Sequence, residues 1–264
     1  MVRLTSCPSK GCRLRRWNRS LAVAGLFVAL CVPSFAVAAT VRVAVAANFT
    51  EAAKAIAAAF AAKTGDTAEL SFGSTGTLYT QISQNAPFAV FLAADDARPK
   101  KAVAEKLGVP GTVFTYAIGK IVLYSTDPDR VTGAETLKAG NFDRIAIANP
   151  LTAPYGAAAV AAMRALGVYD ALEPKLVRGT NIAQTFQFVQ TGNAELGFVA
   201  LAQVAGNESG SLWKVPADLY PPIRQDAVLL ENGRDSKTAK AFLDFLKGPE
   251  AAAIIRRFGY DTDD

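Results

Sequence analysis

From residue 40 onward the chain alternates between two spacings of apolar positions. Residues 40–46, "TVRVAVA", place β-branched residues at every second position, the period of a strand. Residues 51–65, "EAAKAIAAAFAAKTG", return their large apolar residues at helical spacing and stop at Gly65, the residue type favoured just past a helix. Asn48 or Thr50 is suited to cap that helix. The same succession follows with a strand at 69–72, a Gly-Ser-Thr-Gly turn, a helix "TLYTQISQ" from 77, and an apolar strand "FAVFLA" at 88–93. It recurs with strands "KIVLYS" at 120–125 and "RIAIA" at 144–148, the turn "NPLTAPYG", and the helix "AAAVAAMRALGV". Residues 175–178 then lead through Gly179-Thr180-Asn181 into the helix "IAQTFQFVQTG". Late strands are predicted at 196–200 and 227–230, and two terminal helices divide at Gly248-Pro249. Strands separated by helices predict an α/β fold of mostly parallel sheets.

The pattern falls into two such units, so two lobes are predicted, with crossovers near 117–120 and 223–227. Lobe I comprises residues 39–118 and 225–264, and lobe II residues 119–224. A ligand belongs in the crevice at the carboxyl ends of the strands.

Composition changes the picture mainly at the start of the chain. With 51% hydrophobic and 19% charged residues, the sequence suits a soluble globular protein, and the formal charge of +5 suggests a basic one. That charge is unevenly placed. Arg3, Lys10, Arg13, Arg15, Arg16 and Arg19 precede the uncharged stretch "SLAVAGLFVALCVPSFAVAA", which ends in a small-x-small cleavage pattern at Ala36-Val37-Ala38. Residues 1–38 are therefore expected to be a signal peptide. A retained anchor fits less well, because Pro33 breaks the run and it is short for a span; the large Leu30 before Cys31 argues against a lipoprotein. Without those residues the 28 basic side chains fall to 22, against 23 acidic ones. No basic stripe is left for nucleic acid. Cys7, Cys12 and Cys31 leave with the leader, and the chain has no His. Zinc sites of the Cys/His type and the usual Ser-His-Asp or Cys-His catalytic groups are thereby excluded.

Candidate chemistry gathers at four strand-to-helix turns: Asn48-Phe49-Thr50, Gly73-Ser74-Thr75-Gly76, Pro154-Tyr155-Gly156 and Thr180-Asn181-Ile182. A helix N-terminus offers unpaired N–H groups and a partial positive charge, and so holds an anion without a cationic side chain. Gly76 and Gly156 are expected to let backbone approach the ligand. Any one of these turns alone is an ordinary cap; two in each lobe point to a site. Asp95-Asp96 could form a catalytic or metal pair, but a helix start before Pro99 accounts for it better. Arg178 is expected on the surface, and Phe186, Phe188, Phe242 and Phe245 in packing.

The segments "VAVAANFTEAAKAIAAAF", "FGSTGTLYTQISQNAPFAVFLAADDARP", "PLTAPYGAAAVAAM", "GTNIAQTFQFVQTGNAELGFVALAQ" and "FLKGPEAAAIIRRFGY" together resemble the periplasmic molybdate-binding proteins of ABC importers. The resemblance spans nearly all of the chain after residue 38. It implies a two-lobed periplasmic binding fold of type II, with two crossover segments as its hinge. A tetrahedral oxyanion, molybdate or tungstate, would lie between the lobes, with no cofactor and no directly held metal ion. The implied ligand residues are Asn48, Thr75 with Ser74 beside it, the amide of Tyr155 with its hydroxyl also in reach, and the amide of Ile182. Many relatives place a ligand tyrosine where this chain has Ala200, in "LGFVALAQ", and the Tyr155 phenol is the candidate replacement. The implied partner is an ABC importer permease at the inner membrane. The expected protein is a monomeric periplasmic carrier, not an enzyme. The alternatives are a carrier of sulfate, thiosulfate or another oxyanion, and a secreted hydrolase acting on an anionic substrate.

Overall fold

The computed structural model describes residues 38–206 and 209–262; the signal-peptide expectation lies outside the described residues except at Ala38. The first of two sheets is built from Thr40–Ala46 (β1), Thr67–Gly73 (β2), Val90–Leu92 (β3), Phe114–Gly119 (β4) and Ile223–Leu229 (β10), in the order β2-β1-β3-β10-β4. The second is built from Ile121–Ser125 (β5), Ile145–Ala148 (β6), Leu176–Gly179 (β7), Leu196–Ala200 (β8) and Ser211–Lys214 (β9), in the order β7-β6-β8-β5-β9. Within the first, β1 pairs parallel to β2 and β3, while β10 runs against β3 and β4. Within the second, β6 pairs parallel to β7 and β8, while β5 runs against β8 and β9. Each sheet is thus mostly parallel, with one reversed strand. In both cases that strand is the one whose chain has just arrived from the other sheet. This is the two-lobed, type II arrangement.

The chain passes between sheets at Lys120 and again through residues 215–222, ahead of the expected 223–227, which instead form part of β10. Neither β4 nor β9 stands out in the hydrophobic pattern. The first runs into β5 with a single residue between, so the two merge into one apolar stretch; the second has only four residues.

Helices cover both faces of each sheet: Thr50–Thr64 (α1), Ala97–Ala104 (α3), Ala134–Ala139 (α4), Pro154–Ala165 (α5), Tyr169–Leu172 (α6), Leu201–Val204 (α8), Lys237–Leu246 (α9) and Pro249–Arg257 (α10), with Thr75–Ser83 (α2) and Ile182–Gln190 (α7). Along β1 the side chains alternate between two cores. Val43 and Val45 join Phe49, Ile56, Phe60 and Phe242 on one face, while Ala44 joins Leu78, Ile82 and Phe91 on the other. The second sheet is sandwiched likewise, with Ile145, Ile147 and Phe198 on one side and Val122, Ala146 and Val199 on the other. Phe242 and Phe245 are buried as expected, and Phe60 meets Phe242 edge to face with ring centroids 5.3 Å apart.

The helix starts show which caps form. Gly65 takes φ 79°, and its N–H returns to the Ala61 carbonyl, closing α1 as its position predicted. At the other end of α1 the cap is Phe49, without a side-chain bond, and neither Asn48 nor Thr50 fills that role. The Thr50 hydroxyl donates back to the Ala47 carbonyl, and Asn48 is needed elsewhere. Asp95 accepts the Arg98 N–H at 2.9 Å, confirming a helix start at this acidic pair. Among the described residues no group of acidic side chains could hold a metal. Arg178 is exposed and lies 3.8 Å from Glu173.

Candidate functional site

The sequence-predicted residues Asn48, Ser74, Thr75, Tyr155 and Ile182 line one small cavity, with about 200 Å³ of atom-free space including the solvent at its mouth, where the two sheets' carboxyl ends face each other. Two of the contributing turns follow β1 and β2; the other two follow β6 and β7. Among the described residues no charged side chain lines the cavity, and its remaining walls are chiefly alanine.

The backbone at these turns leaves a particular set of donors. In the first turn of α2 the Thr77 N–H goes to the Ser74 hydroxyl at 3.3 Å, and the Gly76 N–H goes to the Thr152 carbonyl at 2.8 Å. The Thr75 N–H has no protein acceptor among the described residues. In α5, Pro154 has no N–H and the Gly156 N–H returns to Ala153, which leaves the Tyr155 N–H without an acceptor among the described residues. In α7 the Gln184 N–H is capped by Asn181 at 3.0 Å, and the Ile182 N–H has no acceptor among the described residues. Thr75 and Tyr155 are each 1% exposed and Ile182 4%. A buried N–H without an acceptor costs roughly 1–3 kcal/mol, so three around one cavity mark a place built for an acceptor. The Thr75 hydroxyl accepts the Ala94 N–H at 3.0 Å, and its own proton is therefore left to donate.

Behind this cavity lies a buried polar cluster that the sequence analysis missed. The Asn48 side-chain amide donates to Gln225 Oε1 at 2.9 Å, with the hydroxyls of Tyr260 and Tyr155 at 3.2 and 3.4 Å. Gln225 Nε2 donates to the Tyr155 hydroxyl at 3.1 Å. Tyr260 donates to the Asn48 carbonyl at 2.7 Å, and the Tyr116 hydroxyl lies 2.9 Å from the Ala93 carbonyl and 3.2 Å from Gln225 Oε1. Burial raises the phenols of Tyr116, Tyr155 and Tyr260 well above their ordinary range, so all three stay protonated and neutral. A sequence signal did exist. Ile223, Gln225 and Ala227 alternate inward along β10, which makes Gln225 a polar residue at a core position.

The Tyr155 hydroxyl, expected to be in reach of the ligand, lies beside Gly119 and accepts from Gln225 at 3.1 Å and Asn48 at 3.4 Å. Two expectations need correction. Gly76 does not make room for a ligand, because a Cβ there would lie 3.0 Å from Thr152 Cα; its small size lets the lobes meet. Gly156 likewise makes room for the Ala148 carbonyl at the end of β6, not for a guest. Ala200 lies outside the cavity lining. Nearby, Gln203 accepts the Ala200 N–H at 2.9 Å and donates to the Ile182 carbonyl at 3.1 Å, bracing the start of α7.

The family description "bacterial extracellular solute-binding protein" matches residues 41–261. The chain belongs to that family. This solute-binding protein is 56% identical over 238 residues to the molybdate-binding protein ModA of Rhodobacter capsulatus, covering 90% of the chain and 94% of the relative. It is 54% identical over 227 residues to ModA of Azotobacter vinelandii, covering 84% of the chain and 90% of the relative. Among solved structures, an Azotobacter vinelandii periplasmic molybdate-binding protein superposes with a TM-score of 0.82 at 38% identity, covering 85% of this chain and all of that one. Within its family the solute-binding protein therefore groups with the ModA proteins.

Proposed function

We propose that the protein captures molybdate, with tungstate as a close analogue, and delivers it to the permease of an ABC importer. The observation that carries this is the set of unpaired N–H groups of Thr75, Tyr155 and Ile182 around a cavity without charged side chains. A dianion with four acceptor oxygens and no proton of its own matches walls that offer donors. Hydrogen phosphate would benefit from a carboxylate acceptor, and none lines the cavity. Thr75 would donate through both its amide and its hydroxyl, Tyr155 and Ile182 through their amides. Ser74 and Asn48 complete the wall. Each bond to a charged guest contributes about 1.5–3 kcal/mol, and the converging N-termini of α2, α5 and α7 add their partial positive charge.

Holding the anion with neutral groups suits a carrier that must also release it. The ModA proteins to which it is similar support molybdate as the cargo. The proposed setting is the periplasm, after removal of residues 1–38, with the protein acting as a monomer and catalysing no reaction. Isothermal titration of residues 39–264 with molybdate, tungstate, sulfate and phosphate tests the proposal. It predicts one site that binds molybdate and tungstate, with weaker sulfate binding and no phosphate binding. Preferential binding of sulfate would refute the choice of cargo.

A further inference from the structure

We infer that Gln225, which does not itself line the cavity, is a positioning residue that couples lobe closure to the grip on the anion. This rests on the cage of Thr75, Tyr155 and Ile182 proposed above. Gln225 lies on β10, three residues after the second crossing, and is completely buried. Its two amide ends serve two different lobes. Oε1 accepts from Asn48 of lobe I at 2.9 Å, while Nε2 donates to the Tyr155 hydroxyl, carried by α5 of lobe II, at 3.1 Å. Tyr155 bears one of the three unpaired cavity amides and Asn48 is part of the cavity wall, so Gln225 joins two cage residues from behind.

Two features of the backbone are built around this contact. Neighbouring Gln225 and Asp226 pair with Ala117 and Thr115, so Tyr116 is an extra residue in β4, and this bulge sits where Gln225 and Tyr116 turn into the cluster. Gly119, the last residue of β4 before the first crossing, has no left-handed φ to explain it. A Cβ there would collide with the Tyr155 hydroxyl and crowd Gln225 Nε2, so glycine is needed for space. The phenol of lobe II thus enters lobe I beside both crossings. An amide suits the junction because it can accept from one lobe and donate to the other.

The test is a double-mutant cycle of Gln225→Met and Tyr155→Phe, read by the molybdate dissociation rate, the affinity and the ligand-free melting temperature. Each single change is expected to weaken molybdate binding by about tenfold, mostly through faster dissociation, and the double variant to lose no more than either single one. Unchanged affinity in Gln225→Met, or losses that add in the double variant, would overturn the inference. So would a lowered ligand-free melting temperature with an unchanged dissociation rate, which is the mark of a purely structural role. If Gln225→Met does not fold, Gln225→Asn, which withdraws the amide by one methylene, carries the same expectations. Thr75→Ala is titrated alongside. Its failure to weaken binding would count against the cage, whereas a loss there with no effect at Gln225 would count against the coupling alone.

Discussion

The Gly76 N–H donates to the Thr152 carbonyl at 2.8 Å, joining the start of α2 in one lobe to the turn before α5 in the other. Arg98 adds a second bridge, donating to the Leu151 carbonyl at 3.2 Å. Both bonds cross from one lobe to the other beside the cavity. A Cβ at position 76 would lie 3.0 Å from Thr152 Cα and 3.1 Å from Thr152 Cβ, contacts that backbone cannot easily relieve. Gly76→Ala is therefore expected to favour the open form. Molybdate affinity should fall by about tenfold, an effect on the order of 1.4 kcal/mol, while the ligand-free melting temperature stays level or rises slightly. Calorimetric titration paired with thermal melts distinguishes this from general destabilisation.

Thr75 offers the sharpest side-chain test, because its hydroxyl accepts from the Ala94 N–H and has its proton left to give. Thr75→Ala should cost about 2 kcal/mol of binding, roughly thirtyfold in affinity. Thr75→Ser keeps the hydroxyl and should retain most of it. Equal losses for Ala and Ser would show that the methyl group, not the donor, matters.

Ile182 allows the backbone donor to be removed without breaking a helix. It is the first residue of α7, where proline is tolerated, and Asn181 before it has the extended φ −152°, ψ 176° that precedes proline comfortably. Ile182→Pro should fold and lose about 1.5–3 kcal/mol of molybdate binding, the worth of a bond to a charged acceptor. Ile182→Val should bind nearly as well as the parent. If the proline variant bound normally, the Ile182 amide would have no part in the site.

Asp226 makes a prediction about pH and stability. Burial raises its carboxyl above the ordinary 3.8, although the Thr115 hydroxyl, 2.7 Å away, favours the charged form. A raised folded-state pKa means that stability is greatest below the unfolded value and is lost as pH rises through the folded one. Asp226→Asn keeps an acceptor for Thr115 and cannot ionise. It should melt above the parent at pH 7, and the difference should shrink as the pH falls through the raised folded value and be nearly gone at about 4. A gap that is constant with pH would exclude ionisation as its cause.

Much of the fold was legible because its elements are long and their periods clean. Residues 40–46 alternate, α1 ends on Gly65, and α9 and α10 divide at Gly248-Pro249 as expected. The unpredicted strands β4 and β9 carry weak local patterns and gain their identity from neighbours: β4 pairs with β10, from which it is more than 100 residues distant in sequence, and β9 with β5. At the site, the turns carrying Ser74, Thr75, Tyr155 and Ile182 could be placed because helix starts announce themselves locally. The fate of the Tyr155 phenol could not. It depends on Gln225, Asn48 and the space at Gly119, which come together only in three dimensions. Similarly, Gly76 and Gly156 read as ligand-facing glycines in sequence, whereas their close neighbours are Thr152 and Ala148.

The most direct measurement is a crystal structure of residues 39–264 grown with molybdate, with the metal located by anomalous scattering at the molybdenum edge. The account predicts one strong peak in the cavity, with anion oxygens within hydrogen-bonding distance of Thr75 Oγ1 and of the amides of Tyr155 and Ile182. A peak elsewhere, or an anion held there by arginine or lysine side chains, would contradict it.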